Sequence, residues 1–367
     1  MVQRKMRLIL KFSVLLAVVT IAARDADGQS AADAIEMLAQ RHCEAGLFHG
    51  GLLVADGPAV VYLGTCRINA PDADAPNALE TPFPIHSITK SFTAILILQL
   101  VDEGTFELTT PLSRALPSFR HPDADGITLH HLLSHTSGLP DYLFAIPGFM
   151  EPTAADLDRD SVLSVVASLP LEFEPGKHFA YSNTGYVLLG CILERVEGKT
   201  FDEVLQERIA RPLDMMHTHW LSPQRAAEVA PQFQRDGKST AHPDDYYPGD
   251  GGIVSTLSDM YRFALGLGSN GLMSDDLWEL AFTPQALPED AVRPHPAHEL
   301  PYGYGFSIGD TVGVSGRVVM HGGMGYGGSA LLQRALESDL VVILWNNVSG
   351  LPPFLPGLDE ILARGLK

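Results

Sequence analysis

Lysine is the scarcest charge carrier in this sequence: seven lysines stand among 367 residues, against 44 Asp plus Glu, and the net charge is −19. That deficit excludes a nucleic-acid partner, because such binding needs clustered cations that displace counterions from phosphates. Cysteine is rarer still. Three residues, Cys43, Cys66 and Cys191, cannot build the dense disulfide framework of a small secreted domain, and an odd number cannot all pair internally. No apolar run of spanning length follows the first 30 residues, so stable membrane insertion is not expected. Long polar tracts and internal repeats are also missing. With 46% apolar and 19% charged residues the chain can bury a core, which excludes disorder. At this length a single core nears its practical limit, and two lobes are expected.

What is present begins with a leader. Arg4, Lys5 and Arg7 precede an apolar run from Leu8 to Ala23, and Ala26-Asp27-Gly28 supplies the small residues of a cleavage site. Residues 1–28 therefore read as a secretory signal cleaved near Gly28, giving an exported protein, periplasmic or secreted; a membrane anchor is the competing reading. Phe48 to Val54 and Ala59 to Thr65 read as a hairpin about Ala55-Asp56-Gly57-Pro58. Cys43 lies just before it and Cys66 just after, so the two come near each other as a disulfide or as two free thiols. Cys191 falls in a buried helix pattern and reads as a packed thiol.

An amphipathic helix is expected from Ala31 to His42, and an apolar one from about His86 to Asp102 with Gly104 as its stop. Helices are expected near 128–135, 160–168, 184–197 and 201–210, and from Ser255 to about Leu267. From Tyr302 the pattern turns to strands: Tyr302 to Gly309, Thr311 to His321, Gly327 to Gln333 and Leu340 to Asn346. A last helix covers Leu355 to Arg364. Strands at both ends with helices between them predict an α+β fold. Its antiparallel sheet is flanked by the N- and C-terminal helices, and a mainly helical lobe is inserted. The α/β lobe takes about 29–84 and 251–367, the helical lobe about 85–250.

The sharpest chemical feature is Ser87-Ile88-Thr89-Lys90. Residues three apart on a helix share a face, so hydroxyl and amine can meet. Lys90 enters an apolar helix with no carboxylate before Asp102, where burial would lower its pKa and make it a base for an adjacent nucleophile. The bland alternative is a snorkelling lysine beside an incidental serine, yet none of the other six lysines has a serine three positions earlier. Tyr181-Ser182-Asn183, the sole Tyr-x-Asn among ten tyrosines, follows a turn and can point into a cleft; the plain reading is a capping Asn beside a core Tyr. His321-Gly322-Gly323-Met324-Gly325-Tyr326-Gly327-Gly328 lies between two strands, where glycines permit close approach of a substrate backbone; alone it reads as an ordinary Gly-rich turn.

In this order the three motifs resemble the serine β-lactamase and penicillin-binding-protein superfamily, and within it the class C β-lactamase-like branch of esterases, D-aminopeptidases and DD-peptidases. The resemblance runs from about Ala31 to Asn346 and includes His131-Leu-Leu-Ser-His-Thr-Ser-Gly-Leu-Pro140, Pro175 to Gly190 and Gly251-Gly-Ile-Val-Ser-Thr-Leu-Ser-Asp259. It implies Ser87 as nucleophile, Lys90 and Tyr181 sharing proton transfer, and Asn183 holding a substrate amide or carbonyl. It also implies an oxyanion hole from the N–H groups of Ser87 and Met324. His321-Gly322-Gly323 stands where class C β-lactamases carry Lys-Thr-Gly. A neutral imidazole and a missing hydroxyl would weaken the grip on a substrate carboxylate. The resemblance therefore implies a small-molecule ester, amide or D-amino-acid peptide substrate and neither cofactor nor metal. Efficient β-lactam hydrolysis or DD-carboxypeptidase activity is the alternative, as is a non-catalytic module binding cell-wall peptides.

Competing constellations fall away. No Gly-x-Ser-x-Gly elbow occurs. His131 and His135 stand four apart but lack the intervening Glu of a zincin, so with His130 they read as a packed helix. His217 and His219 read as structural.

Overall fold

The computed structural model describes residues 30–66, 80–147, 149, 157–222, 225, 229–233, 239–240, 247–268, 271–295, 299–310, 316–325, 327–348 and 350–366. The expected signal segment, and the start of the strand expected from Thr311, lie outside them.

The first helix, α1 (Ala31–Glu44), starts on a capping box in which Ser30 and Asp33 bond each other's backbone N–H. The hairpin β1 (Gly50–Asp56) and β2 (Ala59–Thr65) follows. A two-residue strand, β3 (Phe83–Pro84), leads through a 3-10 turn at His86–Ile88 into α2 (Thr89–Asp102). The helical region holds the short α3 (Leu112–Ala115), α4 (Leu129–Leu133) and α5 (Tyr142–Ala145), then α6 (Arg159–Ala167), α7 (Asn183–Glu197) and α8 (Phe201–Leu205), which passes into a π turn at Gln206–Ala210. Short strands β4 (His219–Trp220), β5 (Gln232–Phe233), β6 (Ser239–Thr240) and β7 (Ile253–Ser255) precede α9 (Leu257–Gly266) and α10 (Asp275–Ala281). The chain ends with β8 (Ser307–Gly309), β9 (Val318–Met324), β10 (Ser329–Ala335), β11 (Leu340–Asn346) and α11 (Leu355–Ala363).

Both chain ends build one antiparallel sheet in the order β2-β1-β11-β10-β9-β8. Its central strands read as unbroken apolar runs because both faces are covered. Leu52, Val54, Val342 and Leu344 pack outward with Ile35, Ala39, Leu358 and Leu362 of the terminal helices. Leu53, Ala55, Val341 and Ile343 pack inward with α2 and α9. The α+β layout expected from the sequence is the one observed.

Local expectations needed correction where long-range contacts intervene. Only Ser307–Gly309 of the strand expected from Tyr302 is a strand. Gly305 adopts φ +78, and a Cβ there would lie 2.6 Å from that of Ala94, so this loop docks on α2, and Tyr302 pairs only through isolated bridges to Ala286 and Ser307. The helix expected from His86 begins as a 3-10 turn, and that expected over 201–210 ends as a π turn. A small sheet β3-β7-β4 was not foreseen; it joins the strand before Ser87 to the segment after the helical region. Cys43 and Cys66 are disulfide-bonded, with Cα atoms 5.8 Å apart, whereas the thiol of Cys191 is free and raised to about 11, chiefly by burial.

Candidate active site

From Phe83 to Leu100 every residue is buried except Ser87, which is partly exposed. The turn that presents it is forced. Ile85 donates its N–H to Ile253 O, anchoring the chain beside β7, and His86 takes φ +49, a left-handed conformation costly for a residue with a Cβ. β9 then closes against this turn. A Cβ on Gly323 would lie 2.3 Å from Ile85 O and 2.9 Å from His86 Cβ, so only glycine fits. The close approach that the glycines permit is thus to the Ser87 turn at Gly323, while Gly322 faces open space. Met324 is exposed at the end of the same strand.

Lys90, one turn further on, is fully buried. Its ammonium donates to Ser87 Oγ at 3.2 Å, Asn183 Oδ1 at 2.7 Å and the Asp250 carbonyl at 2.7 Å. Burial pulls its pKa down to about 8, against the opposing pull of the Asp250 and Asp141 carboxylates. Asn183 opens α7 and is held by Asp141, whose Oδ2 accepts from Asn183 Nδ2 at 2.9 Å and from its backbone N–H at 3.3 Å. Asp250 is raised to about 6 by burial and accepts from the Tyr142 hydroxyl at 2.6 Å.

The Tyr181 ring lies 5.0 Å from Lys90 Nζ. Burial lifts its pKa well above the ordinary phenol value, opposed by a hydrogen bond with the Ser87 side chain, so the neutral phenol is the resting form. His321 is buried on β9 with Nδ1 2.7 Å from Gly322 O and Nε2 3.1 Å from the Tyr302 hydroxyl. A carbonyl can only accept, so Nδ1 carries the proton and Nε2 accepts from Tyr302. Burial, aided by the charge of Lys90, drives its pKa down to about 3, and the imidazole is neutral across the physiological range.

Ser87, Lys90, Tyr181, Asn183 and His321 therefore meet in one place. Several residues sequence reasoning missed stand with them. His135, expected in a packed helix, lies beyond the end of α4 at φ +59 and packs its tilted ring against Tyr181, Tyr186 and Tyr302 with centroids 4.3, 4.9 and 4.8 Å away, and its Nδ1 accepts from Ser182 N–H. His295 stacks on Tyr181 at 4.6 Å, delivered by a strap in which Val292 N–H bonds Phe179 O and Arg293 bonds Tyr181 O. Asp141 directly follows the stretch His131 to Pro140 that carried part of the family resemblance; nothing in its spacing marked it. His131 and His130 serve structure: His131 Nδ1 accepts from Thr128 N–H at the start of α4, and His130 Nδ1 bonds Tyr304. Among the described residues no group of three or more His, Cys, Asp or Glu could hold a metal ion.

Known proteins with related sequences frame this geometry. Penicillin-binding protein 4* of Bacillus subtilis is 29% identical over 330 residues, which cover 85% of this chain and 70% of that one. Esterase EstB of Burkholderia gladioli is 29% identical over 272 residues, 64% of this chain and 69% of the esterase. The crystal structure of a penicillin-binding protein from Bacillus halodurans superimposes with a TM-score of 0.73 at 27% identity, covering 88% of this chain and 98% of that one. A profile of the family described as Beta-lactamase matches residues 35–365. That match spans nearly the whole chain, which belongs to the Beta-lactamase family and is an enzyme of its serine hydrolase class.

Proposed function

We propose that this chain is an exported hydrolase that cleaves ester or amide bonds through an acyl-enzyme on Ser87. The observation that carries the reading is the buried Lys90 amine 3.2 Å from the one partly exposed residue of its segment, Ser87. With a pKa of about 8, roughly a tenth of Lys90 is free base at pH 7. That amine takes the Ser87 proton as Oγ bonds to the carbonyl carbon. The N–H groups of Ser87 and Met324 receive the charge that develops on the carbonyl oxygen. Tyr181, a neutral phenol, relays a proton to the leaving group as its bond to carbon breaks. Water then repeats the sequence and releases the acid.

His321 shapes the substrate class. Neutral and turned toward Tyr302, it offers a carboxylate no charge, which favours esters and D-amino-acid amides or peptides over β-lactams; the similarity to an esterase supports this. The similarity to a D-alanyl-D-alanine-carboxypeptidase/endopeptidase of Escherichia coli, 32% identical over 222 residues that cover 58% of this chain and 55% of that one, supports DD-carboxypeptidase action as the second reading. Export is supported by the leader-like segment before Gly28 and by the Cys43–Cys66 disulfide, which persists in oxidising compartments. The test is a panel of p-nitrophenyl esters, D-amino-acid amides, D-Ala-D-Ala peptides and a chromogenic cephalosporin on wild type and Ser87→Ala. Turnover of esters or D-amides that vanishes in Ser87→Ala is expected. Preference for D-Ala-D-Ala or the cephalosporin would favour the second reading, and no turnover of any member would leave a binding module.

A further inference from the structure

Lys90 has three acceptors, and they differ in how firmly they are placed. The Asp250 carbonyl is fixed by the backbone. Ser87 Oγ is the atom consumed when an acyl group is attached. The third, Asn183 Oδ1, belongs to an amide whose two ends have nearly the same shape. Were that amide turned over, an N–H group would face the ammonium and push it away from Ser87. Something must choose the orientation.

Asp141 supplies the choice. Its Oδ2 accepts from both Asn183 Nδ2 and Asn183 N–H, which leaves Oδ1 of the amide facing Lys90. Its Oδ1 accepts from Leu143 N–H at 3.1 Å. The neighbouring chain is locked on both sides, Thr184 Oγ1 donating to Pro140 O at 2.7 Å and accepting from Tyr142 N–H at 3.0 Å. Asp141 is buried, and although burial raises its pKa, the Leu143 and Asn183 N–H groups and the charge of Lys90 all favour its anion. We propose that Asp141 is a positioning residue of this site: through Asn183 it fixes the ammonium of Lys90 within reach of Ser87. The proposal rests on the reading of Ser87 and Lys90 as an acyl-transfer pair.

An isosteric amide cannot replace this carboxylate. Both oxygens accept, so Asn at 141 would set an N–H group against the donor of either Leu143 or Asn183. It would also remove one of the two negative charges that hold Lys90 protonated. The other groups facing Lys90 are Asp250, whose carboxylate is engaged by Tyr142, the phenols of Tyr181 and Tyr186, and the neutral His321.

The experiment is the rate of fluorophosphonate labelling of Ser87 against pH, located by peptide mapping, for wild type, Asp141→Ala and Asp141→Asn, with circular dichroism and melting temperature alongside. Asp141→Asn keeps the side-chain volume and decides the matter should the alanine variant not fold. The expected result is folded protein labelled at least ~10-fold more slowly at high pH, with the labelling midpoint moved to lower pH because the ammonium has lost an anionic neighbour. Folded variants that label at the wild-type rate and midpoint, with only the melting temperature lowered, would overturn the role of Asp141 and leave the acyl-enzyme reading standing. A wild-type protein that labels elsewhere than Ser87 overturns both.

Discussion

At the scale of single residues, the site is governed by one amine taken out of water. Lys90 keeps three hydrogen-bond acceptors and two carboxylates within electrostatic range, yet burial still wins and its pKa falls to about 8. An ammonium cannot accept the Ser87 proton, so activity follows the free amine. We predict that kcat/KM for an ester rises with pH through a midpoint near 8, falling tenfold per pH unit well below it. Lys90→Ala should lower kcat/KM by about 10²–10⁴-fold and abolish that limb. A profile that is flat from pH 6 to 9 in wild type would remove Lys90 from the role. The Ser87/Lys90 spacing and the Tyr181-Ser182-Asn183 triplet were legible in the sequence because a helix turn fixes where such neighbours lie. Asp141, Asp250 and His295 were not, because Asp141 and Asp250 reach the site through contacts across 42 and 160 residues and His295 through a strap with no repeating pattern.

At the scale of elements, function depends on how closely one strand approaches one turn. β9 passes the Ser87 turn at a distance that admits no side chain at Gly323, and the atom in the way, Ile85 O, is backbone that cannot rotate aside. Gly323→Ala should therefore displace β9 from the turn, and a misplacement of about 1 Å costs ~10² in rate. Gly322→Ala meets open space and should act on KM with kcat nearly kept. Steady-state kinetics on both, with circular dichroism, checks this pair; equal effects would show that the approach of β9 does not matter. Periodicity located the long elements well: Asn183–Glu197, Leu340–Asn346 and Leu355–Ala363 lie within a residue of expectation. It failed at Tyr302–Gly305 and at the 3-10 start before α2, where docking against a distant helix or strand overrides local preference.

At the scale of the whole molecule, two chain ends far apart in sequence share one sheet, and the helical region hangs between its edges. The Cys43–Cys66 disulfide ties α1 to the end of β2 in the outer apolar layer, on the side of the sheet away from Ser87. By limiting the unfolded chain it should contribute about 2–4 kcal/mol. A Cys43→Ser/Cys66→Ser double variant should lose that much in urea unfolding while keeping wild-type kcat/KM. Full stability in the double variant, or lost activity in a folded one, would contradict this placement of the bond.

All three scales converge on one covalent event at Ser87. The most direct measurement is the intact mass of wild type and Ser87→Ala after exposure to a fluorophosphonate, with the modified peptide mapped. One adduct per chain on Ser87, absent from the folded variant, is the predicted result. An adduct that persists in Ser87→Ala, or that maps to another serine in the wild type, would contradict it.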